Sequence, residues 1–170
     1  SIDHPFIPLA LAMGAGASFS ARTMDWAPKH LQAMLLRSHV HIGASFLEIY
    51  QNCNIFNDGA FEIFTEKKTK PDEVLFLEQG KPLVFGATQN KGIKLDGFKP
   101  VIVDLAEGAS TDDLWVHDEK DFYKAQILIR MFDDPKLEGH LPRPFGVFYE
   151  TERACYEDSM VMQIEEVIAK

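Results

Sequence analysis

The chain has 170 residues, 46% hydrophobic, 25% charged and 11% aromatic, which is the composition of an ordered globular protein with one or two compact lobes. Its formal net charge of −9, without a long run of Lys and Arg, argues against a nucleic-acid-binding protein, because phosphate recognition needs clustered positive charge. No apolar stretch approaches the roughly 20 residues of a membrane helix, and the first residues lack a signal-peptide pattern, so we expect a cytoplasmic protein without a membrane span.

Helical and strand patterns alternate in the first third of the chain. Residues 7–13 are apolar with Pro8 in the first turn, which predicts a short helix that stops at Gly14. A strand is predicted over residues 17–23, and Pro28 marks the start of the next helix. The apolar positions of that helix predict a buried stripe of Leu31, Met34, Leu35 and Ser38.

A second strand is predicted directly after this helix. The helix ends at Gly43, and residues 45–50 are rich in strand-forming residues. Strand, helix and strand in this order predict a parallel crossover unit. Ligands gather outside the carboxyl ends of strands in open parallel sheets, so residues 51–57 lie where a functional site is expected.

The pattern changes at the charged stretch of residues 66–73, which is typical of a solvated connector. We place a lobe boundary there, with residues 1–66 before it and residues 67–170 after it. Residues 82–105 contain three short strand patterns separated by Asn, Gly and Pro. This spacing predicts an antiparallel meander.

Two helices and one strand are predicted beyond the meander. A helix is indicated by apolar residues at helical spacing, namely Phe122, Ala125, Ile129 and Phe132. Prolines at residues 142–144 break the chain before a short strand over residues 146–149. A final amphipathic helix is indicated by Met160, Ile164, Val167 and Ile168.

Three short motifs favour structural roles. Gly14-Ala15-Gly16 follows a helix and precedes a strand, the reverse of a dinucleotide-binding loop, so a helix stop is favoured. His39-x-His41 could supply two metal ligands, but histidines at a helix end also suit the helix dipole, and that interpretation is favoured. Cys155 is interpreted as an ordinary half-buried thiol.

Cys53 leaves two interpretations open. The chain has two cysteines, and their spacing encodes neither a disulfide framework nor a self-contained zinc or iron–sulfur site. Cys53 lies at a predicted strand end, where a functional thiol would be well placed. Taken alone, the residues still favour a buried thiol over a ligand, because cysteine often packs as a small apolar side chain.

Longer segments carry a resemblance to a known family. Around Cys53 the sequence reads Gln51-x-Cys53-x-x-Phe56-Asn57, and matching stretches cover essentially the whole chain. In order and spacing they closely resemble the beta subunits of 2-oxoacid:ferredoxin oxidoreductases. The matching stretches are residues 8–22, 29–31, 48–57, 80–86, 91–93, 116–119 and 144–148.

The resemblance implies a fold, an activity and partners. Residues 1–66 would be the C-terminal half of an α/β, thiamine-diphosphate-binding domain with a parallel sheet, and residues 67–170 a small α+β extension with the antiparallel meander. The implied reaction converts a 2-oxoacid, with 2-oxoglutarate favoured, and CoA to acyl-CoA and CO₂, with electrons passed to ferredoxin. The implied protein partner is the alpha subunit of the same enzyme.

The cofactor motif of the family is expected outside this chain. In the family, thiamine diphosphate is held through Mg²⁺ by Gly-Asp-Gly followed further on by Asn. Neither Asn57-Asp58-Gly59 nor Leu95-Asp96-Gly97 has the leading Gly. The motif is therefore expected upstream of Ser1. No catalytic or thiamine-diphosphate-binding residue is assigned here, and no bound cofactor is expected for this chain alone.

The resemblance changes the interpretation of Cys53. Relatives with a [4Fe–4S] cluster take three thiolates from a Cys-x-x-Cys and a further Cys that this sequence lacks, and the fourth from the segment that Cys53 matches. Cys53 is therefore predicted to be a cluster ligand in the intact subunit. One thiolate would not retain a cluster that normally takes four.

Three functional hypotheses follow. The first is a fragment of the catalytic subunit that is inactive alone, and the second is a non-catalytic assembly or interaction module. The third is a stand-alone metal-binding protein that uses His39, His41 and other histidines. Half of a doubly wound domain would also leave a sheet edge and an apolar face uncovered, which favours self-association.

Overall fold

The structure is a computed structural model, which describes residues 6–131 and 139–169. The elements before the meander are α1 (Pro8–Gly14), β1 (Phe19–Met24), α2 (Pro28–Val40), β2 (Ser45–Tyr50), α3 (Lys70–Glu73) and β3 (Val74–Phe76). The remaining elements are β4 (Val84–Phe85), β5 (Lys91–Asp96), β6 (Lys99–Asp104), α4 (Phe122–Ile129), β7 (Arg143–Glu150) and α5 (Tyr156–Ile168). Short 3₁₀ turns lie at Glu62–Phe64 and Thr111–Asp113.

A four-stranded mixed sheet forms the centre of the fold, in the order β2-β1-β7-β3. Strands β1 and β2 are parallel and in register from Phe19 opposite Ser45 to Met24 opposite Tyr50. Helix α2 connects them, so the predicted parallel crossover is confirmed. The sheet is mixed because β7 runs antiparallel to β1 and parallel to β3.

Strand β7 is longer than predicted. The prolines at residues 142–144 were expected to break the chain, yet the strand already begins at Arg143. Pro144 pairs with Leu75 of the short strand β3, and the pairing with β1 begins only at Gly146. The missing N–H of Pro144 therefore removes no ladder hydrogen bond on the β1 side.

The predicted meander is confirmed as a second, antiparallel sheet of β4, β5 and β6. Asp96 pairs with Lys99, so Gly97 and Phe98 form the tight turn between β5 and β6. Gly97 has φ +60°, a conformation that favours glycine at such a turn. Leu95-Asp96-Gly97 is thus part of a hairpin.

The cores lie on both faces of the mixed sheet. One core joins α1, β3, β4, β5, α4 and β7 through buried side chains that include Leu9, Leu75, Phe85, Ile93, Leu128 and Phe148. Successive strand residues point to opposite faces. On the other face Phe19, Ala21 and Val147 pack with Met34 of α2. The sheet is therefore covered by helices on both sides, and the predicted α/β class with an antiparallel meander is confirmed.

Helix α2 differs from the prediction in one residue, and part of the α4 prediction lies outside the described residues. In α2, Met34 is buried and Leu31 and Ser38 are half-buried, but Leu35 is 47% exposed. Its prediction as a buried residue is wrong, because the contact of α2 with the sheet is narrower than the apolar stripe. In α4, Ala125 and Ile129 are buried as predicted, whereas Phe132 lies outside the described residues.

The division of the chain at residue 66 stays a prediction. Among the described residues, no helix combines the length and apolar character needed to cross a lipid bilayer.

Candidate functional site

The candidate site lies at the edge of the sheet where β1 and β2 end. The two strands are parallel, so their last residues, Met24 and Tyr50, lie side by side. The Asp25 N–H donates to the Tyr50 carbonyl oxygen at 3.0 Å and joins the two segments that leave the strands. Residues 51–57 therefore lie at the carboxyl edge of a parallel pair, as predicted from the order of elements.

Cys53 opens a tight loop at this edge. The Asn57 N–H donates to the Cys53 carbonyl oxygen at 2.9 Å, and the two residues form an isolated antiparallel bridge. Cys53 is a half-buried free thiol. The backbone N–H groups of Phe56 and Ile55 hydrogen-bond to its sulfur and lower the thiol pKa. The loop therefore favours the thiolate, which is the form that binds metals.

The side chain of Asn52 closes the loop. Its Nδ2 donates to Asp58 Oδ1 at 3.0 Å, and its Oδ1 accepts from the Gly59 N–H at 2.9 Å. Gly59 has φ +75°, a conformation that L-residues with a side chain rarely adopt. One amide thus joins the start of the loop to its end, and Cys53 lies directly after this closure.

The outer surface of the loop is apolar. Ile55 is 82% exposed and Phe56 is 89% exposed, and Trp26, which follows the neighbouring strand β1, is 67% exposed. Large apolar side chains grouped at one edge of a fold are typical of a surface that contacts a ligand or another chain. The sequence placed this segment correctly, but nothing in it distinguished exposed from buried apolar residues.

Beneath the loop lies a layer of aromatic rings. Tyr50 stacks on Phe61 with ring centroids 4.4 Å apart and meets Phe145 edge-on at 5.5 Å. The Arg143 guanidinium donates to the Tyr50 hydroxyl and lies 5.6 Å from the Tyr50 and Phe64 ring centroids. Burial lowers the pKa of Arg143 to about 10, and contact with Tyr50 opposes that shift. These contacts fix the end of β2.

The histidines singled out in the sequence do not converge on a metal. His39 is exposed, whereas His41 is packed against the sheet, with Nε2 2.8 Å from Ser18 Oγ and Nδ1 3.6 Å from Glu150 Oε1. Within residues 6–131 and 139–169, no three His, Cys, Asp or Glu side chains group closely enough to hold a metal ion. His41 thus makes structural contacts, and the helix-dipole interpretation of the motif stays a prediction.

The other two motifs also have structural roles. At the end of α1 the Ala17 N–H donates to the Ala12 carbonyl oxygen at 2.9 Å, and the Gly16 N–H to the Met13 carbonyl oxygen at 3.0 Å. Gly16 has φ +89°, so this is a glycine-terminated helix end of the Schellman type. Cys155 is a half-buried free thiol at the N-cap of α5, as predicted.

Two polar groups were missed in the sequence. Asn52 was not singled out and Asp58 was considered only as part of a cofactor motif, although clustered Asn, Asp and Gly are a signal for side chains that bond the backbone of a turn. Arg37 of α2 donates to both carboxylate oxygens of Glu119, at 2.9 and 2.6 Å, and also to Glu150. No local pattern marks that network, because its members come from distant parts of the chain.

The chain is similar to known proteins, although no protein-family model matches it. The chain is 33% identical over 165 residues to the 2-oxoglutarate oxidoreductase subunit KorB of Mycobacterium tuberculosis. The aligned region covers 96% of this chain and 43% of that subunit.

A solved structure has the same fold. It is the 2-oxoglutarate:ferredoxin oxidoreductase from Magnetococcus marinus with 2-oxoglutarate, coenzyme A and succinyl-CoA bound. The match has a TM-score of 0.61 at 17% identity and covers 98% of this chain and 41% of that one. This chain thus spans less than half the length of either relative. The resemblance predicted from the sequence is confirmed: over nearly its whole length, the chain is related to a subunit of 2-oxoglutarate oxidoreductase.

Proposed function

We propose that this chain is part of the thiamine-diphosphate-binding subunit of a 2-oxoacid:ferredoxin oxidoreductase, with 2-oxoglutarate as the favoured substrate. The observation that carries the proposal is the 33% identity to the mycobacterial 2-oxoglutarate oxidoreductase subunit across 96% of this chain. The matched region contains the loop that presents Cys53 at the carboxyl edge of β1 and β2, where α/β sheets place their ligands.

The proposed reaction is the oxidative decarboxylation of the 2-oxoacid. With CoA it yields an acyl-CoA and CO₂, and the electrons pass to ferredoxin. The proposed assembly contains an alpha subunit as partner and lies in the cytoplasm. This chain would contribute the wall of the site at the carboxyl edge of the sheet, where the exposed Trp26 and Phe56 would exclude water from the neighbouring subunit surface.

Cys53 is proposed as one ligand of a [4Fe–4S] cluster in the complete enzyme. Its thiol is only half-buried, and hydrogen bonding from the Phe56 and Ile55 backbone N–H groups lowers its pKa. Both features fit a thiolate ligand, because hydrogen bonds to sulfur are one means by which proteins stabilise such clusters. A [4Fe–4S] cluster would supply electron transfer, and its other three thiolates would come from outside the described residues.

The thiamine-diphosphate motif is proposed to lie in another part of the complete subunit. Within this chain both Asp-Gly sequences have other roles. Asp58 accepts from Asn52 at 3.0 Å, and Asp96 and Gly97 belong to the hairpin between β5 and β6. Neither fits a Mg²⁺–diphosphate site, so the chain alone is expected to be inactive and to bind no thiamine diphosphate.

The proposal is tested by substituting Cys53 in the complete complex. Cys53→Ala is expected to lower iron and acid-labile sulfide while the thiamine diphosphate content stays unchanged. Cys155→Ala is the matched control, because it removes the other half-buried thiol of the chain. It is expected to leave both contents as in the unsubstituted complex. Full iron content in Cys53→Ala would refute the ligand role, and a complex without either cofactor would refute the enzyme assignment.

One observation supports a second function, a non-catalytic interaction module. Helix α5 is 13 residues long and none of its side chains is buried. Its apolar residues therefore face solvent. If the native complex holds neither thiamine diphosphate nor iron, this chain would act only by packing against another subunit. The cofactor measurement above distinguishes the two functions.

A further inference from the structure

We propose that Asp96-Gly97 is a self-modification site, at which the aspartate rearranges to isoaspartate without an enzyme. The chain contains two Asp-Gly sequences, Asp58-Gly59 and Asp96-Gly97, and their surroundings differ. An aspartate side chain closes on the next backbone nitrogen most readily when glycine follows, because glycine has no Cβ atom to hinder the approach. The inference concerns the second sheet and does not depend on the function proposed above.

The reaction needs no other molecule than water. The Gly97 nitrogen bonds to the side-chain carboxyl carbon of Asp96, and one carboxyl oxygen leaves as water with the amide proton and the proton of the carboxylic acid. The product is a cyclic succinimide. Water then opens the ring at one of its two C–N bonds. Opening the new bond restores aspartate, whereas opening the original peptide bond leaves the main chain running through the former side chain, as isoaspartate.

Asp96 and Gly97 lie in a turn that leaves both reacting groups accessible. Asp96 pairs with Lys99, residues 96–99 are all exposed, and a Cβ atom at Gly97 would meet nothing within 4 Å. Among the described residues, no hydrogen bond or ion pair holds the Asp96 carboxylate, and no group accepts from the Gly97 N–H. The nitrogen and the carboxyl carbon are therefore both free to react.

The turn can open without exposing the core. To bring the side chain to the next nitrogen, the Asp96 backbone must rotate, which breaks the pairing with Lys99. Phe98 at the turn is 89% exposed, so this opening removes no packed side chain and belongs to the local motions of low free energy. Further along the hairpin, the buried Ile93 stays paired with Ile102.

Asp58-Gly59 is the internal comparison, because one side chain holds both of its reacting groups. Asn52 Nδ2 donates to Asp58 Oδ1 at 3.0 Å, and Asn52 Oδ1 accepts from the Gly59 N–H at 2.9 Å. Ring closure there would break both hydrogen bonds, since the nitrogen must lose its proton and turn toward the carboxyl carbon. Asp58 is exposed as well, so exposure alone does not distinguish the two sites. Isoaspartate formation is expected to be several-fold slower at Asp58.

Isoaspartate at residue 96 would alter the end of the hairpin. It adds one methylene group to the main chain and leaves the former main-chain carboxyl as a side branch. Because the pairing of strands depends on a fixed spacing of residues, the added atom disturbs the register between β5 and β6 near the turn. In the modified protein, hydrogen exchange of the peptide that spans residues 94–101 is therefore expected to be faster.

The test is to age the complete complex at neutral pH and to digest it with trypsin. Electron-transfer fragmentation in the mass spectrometer distinguishes isoaspartate from aspartate of equal mass and locates it within each peptide. Methylation by an isoaspartyl methyltransferase gives an independent measure. Residue 96 is expected to accumulate several-fold more isoaspartate than residue 58. Equal amounts at the two residues, or none at residue 96, would overturn the proposal.

Two substitutions at residue 96 test the chemistry. Asp96→Glu keeps the carboxylate, but its longer side chain would have to close a larger ring, so the isoaspartate signal of this peptide is expected to be lost. Asp96→Asn is expected to give isoaspartate several-fold faster, because the amide group leaves more readily than the carboxyl oxygen. A signal that persists in Asp96→Glu, or a rate unchanged in Asp96→Asn, would place the reaction elsewhere and overturn the assignment.

Asn52→Ala tests the reason for the difference between the two sites. It removes both hydrogen bonds, and it is expected to raise isoaspartate at Asp58 several-fold while residue 96 stays unchanged. Asn54→Ala removes a nearby exposed amide and is expected to leave both residues as they were. If Asn52→Ala has no effect at Asp58, the protection assigned to Asn52 is overturned. Iron and thiamine diphosphate enter none of these measurements, so their outcome is separate from that of the proposed function.

Discussion

Arg22 of β1 lies directly opposite Glu48 of β2, and its Nε donates to Glu48 Oε2 at 2.5 Å. The Arg22 side chain is 2% exposed. Its Nη1 donates to the Pro144 carbonyl oxygen of β7 at 3.2 Å, and its guanidinium lies 5.3 Å from the Tyr50 ring centroid and 5.2 Å from that of Phe148. One buried cation thus joins three strands beneath the candidate site.

Removing the carboxylate of this pair is expected to destabilise the chain. In Glu48→Gln the Arg22 guanidinium stays buried without a charge partner, so the free energy of unfolding is expected to fall by about 3 kcal/mol. Urea denaturation of the chain checks this. Glu107→Gln, at an exposed carboxylate, is the control and is expected to change the value by less than about 0.5 kcal/mol.

A double substitution distinguishes charge from packing. Arg22→Met with Glu48→Leu removes both charges, and it is expected to be less destabilising than Glu48→Gln because apolar groups can replace a buried ion pair. A double variant less stable than the single one would mean that the hydrogen bond from Arg22 to Pro144, rather than the ion pair, dominates at this position.

Gly146 is expected to tolerate no side chain. It lies within β7 with φ +133°, and a Cβ atom there would be 2.8 Å from the Leu77 carbonyl oxygen and 2.9 Å from Leu77 Cβ. Gly146→Ala should therefore lower the free energy of unfolding by about 1–3 kcal/mol, through strain and the clash with the backbone. Thermal or urea unfolding measures the loss.

Gly14 is the matched control for this substitution. A Cβ atom there would meet nothing within 4 Å, and the residue ends α1. Gly14→Ala is expected to leave stability unchanged or to raise it by up to about 1 kcal/mol, because alanine is the better helix former. Equal losses at Gly146 and Gly14 would contradict the role assigned to Leu77.

The first four elements were predictable because their signals are local. Pro28 at the start of α2 and Gly43 after its end bound the helix, and strand-forming residues 45–50 coincide with β2. The Leu95-Asp96-Gly97 stretch and the meander likewise follow from turn chemistry within a few residues. Such signals need no knowledge of distant partners.

The misses depend on contacts between distant residues. Nothing near Arg143 indicates that β7 enters the sheet beside β1, since that pairing joins Gly146 to Arg22 across most of the chain. The exposure of Leu35 depends on how α2 lies on the sheet. At the candidate site the position of Cys53 was predictable, but the hydrogen bonds of Asn52 depend on the exact path of the loop.

His117 is expected to make the stability of the chain depend on pH. It is 1% exposed, its Nε2 donates to the Val147 carbonyl oxygen at 2.8 Å, and its Nδ1 has no hydrogen-bond partner among the described residues. Burial lowers the pKa of His117 below its ordinary value of 6.5, although the bond to Val147 and the charges of Glu119 and Asp118 oppose the shift. The fold thus prefers the neutral ring.

The sign of the effect follows from the lowered pKa. Below pH 6.5 His117 binds a proton more readily in the unfolded chain than in the folded chain. The contribution of the neutral ring to the free energy of unfolding is therefore complete above pH 6.5 and is lost as pH falls toward the folded-state pKa. The slope for one proton is at most about 1.4 kcal/mol per pH unit. Burial also lowers the pKa of His30, so His30 also reduces the free energy of unfolding as pH falls.

Urea denaturation between pH 7.5 and 5.5 measures this dependence. His117→Gln keeps a donor for the Val147 carbonyl oxygen but does not titrate, so its stability is expected to fall less with acid than that of the unsubstituted chain. His39→Gln, at an exposed histidine, is expected to keep the original slope. Identical slopes for all three proteins would show that His117 is equally easy to protonate in both states.

Helix α5 is expected to drive self-association of the isolated chain. Its apolar side chains are 43–79% exposed and include Met160, Val161, Ile164, Val167 and Ile168. A continuous apolar face of this kind costs free energy in water and is typical of an interface. Strand β2 is also at the edge of the mixed sheet, so two surfaces could contribute to the contact.

Sedimentation velocity over a range of concentrations distinguishes the two surfaces. Ile164→Lys places a charge on the apolar face of α5 and is expected to shift the chain toward monomer. Gln163→Lys adds the same charge at a neighbouring polar residue, and its association is expected to change little. If both variants associate as the unsubstituted chain does, the contact is made through the β2 edge, whose unpaired backbone groups can pair with a second copy. A chain that stays monomeric at every concentration would contradict self-association through either surface.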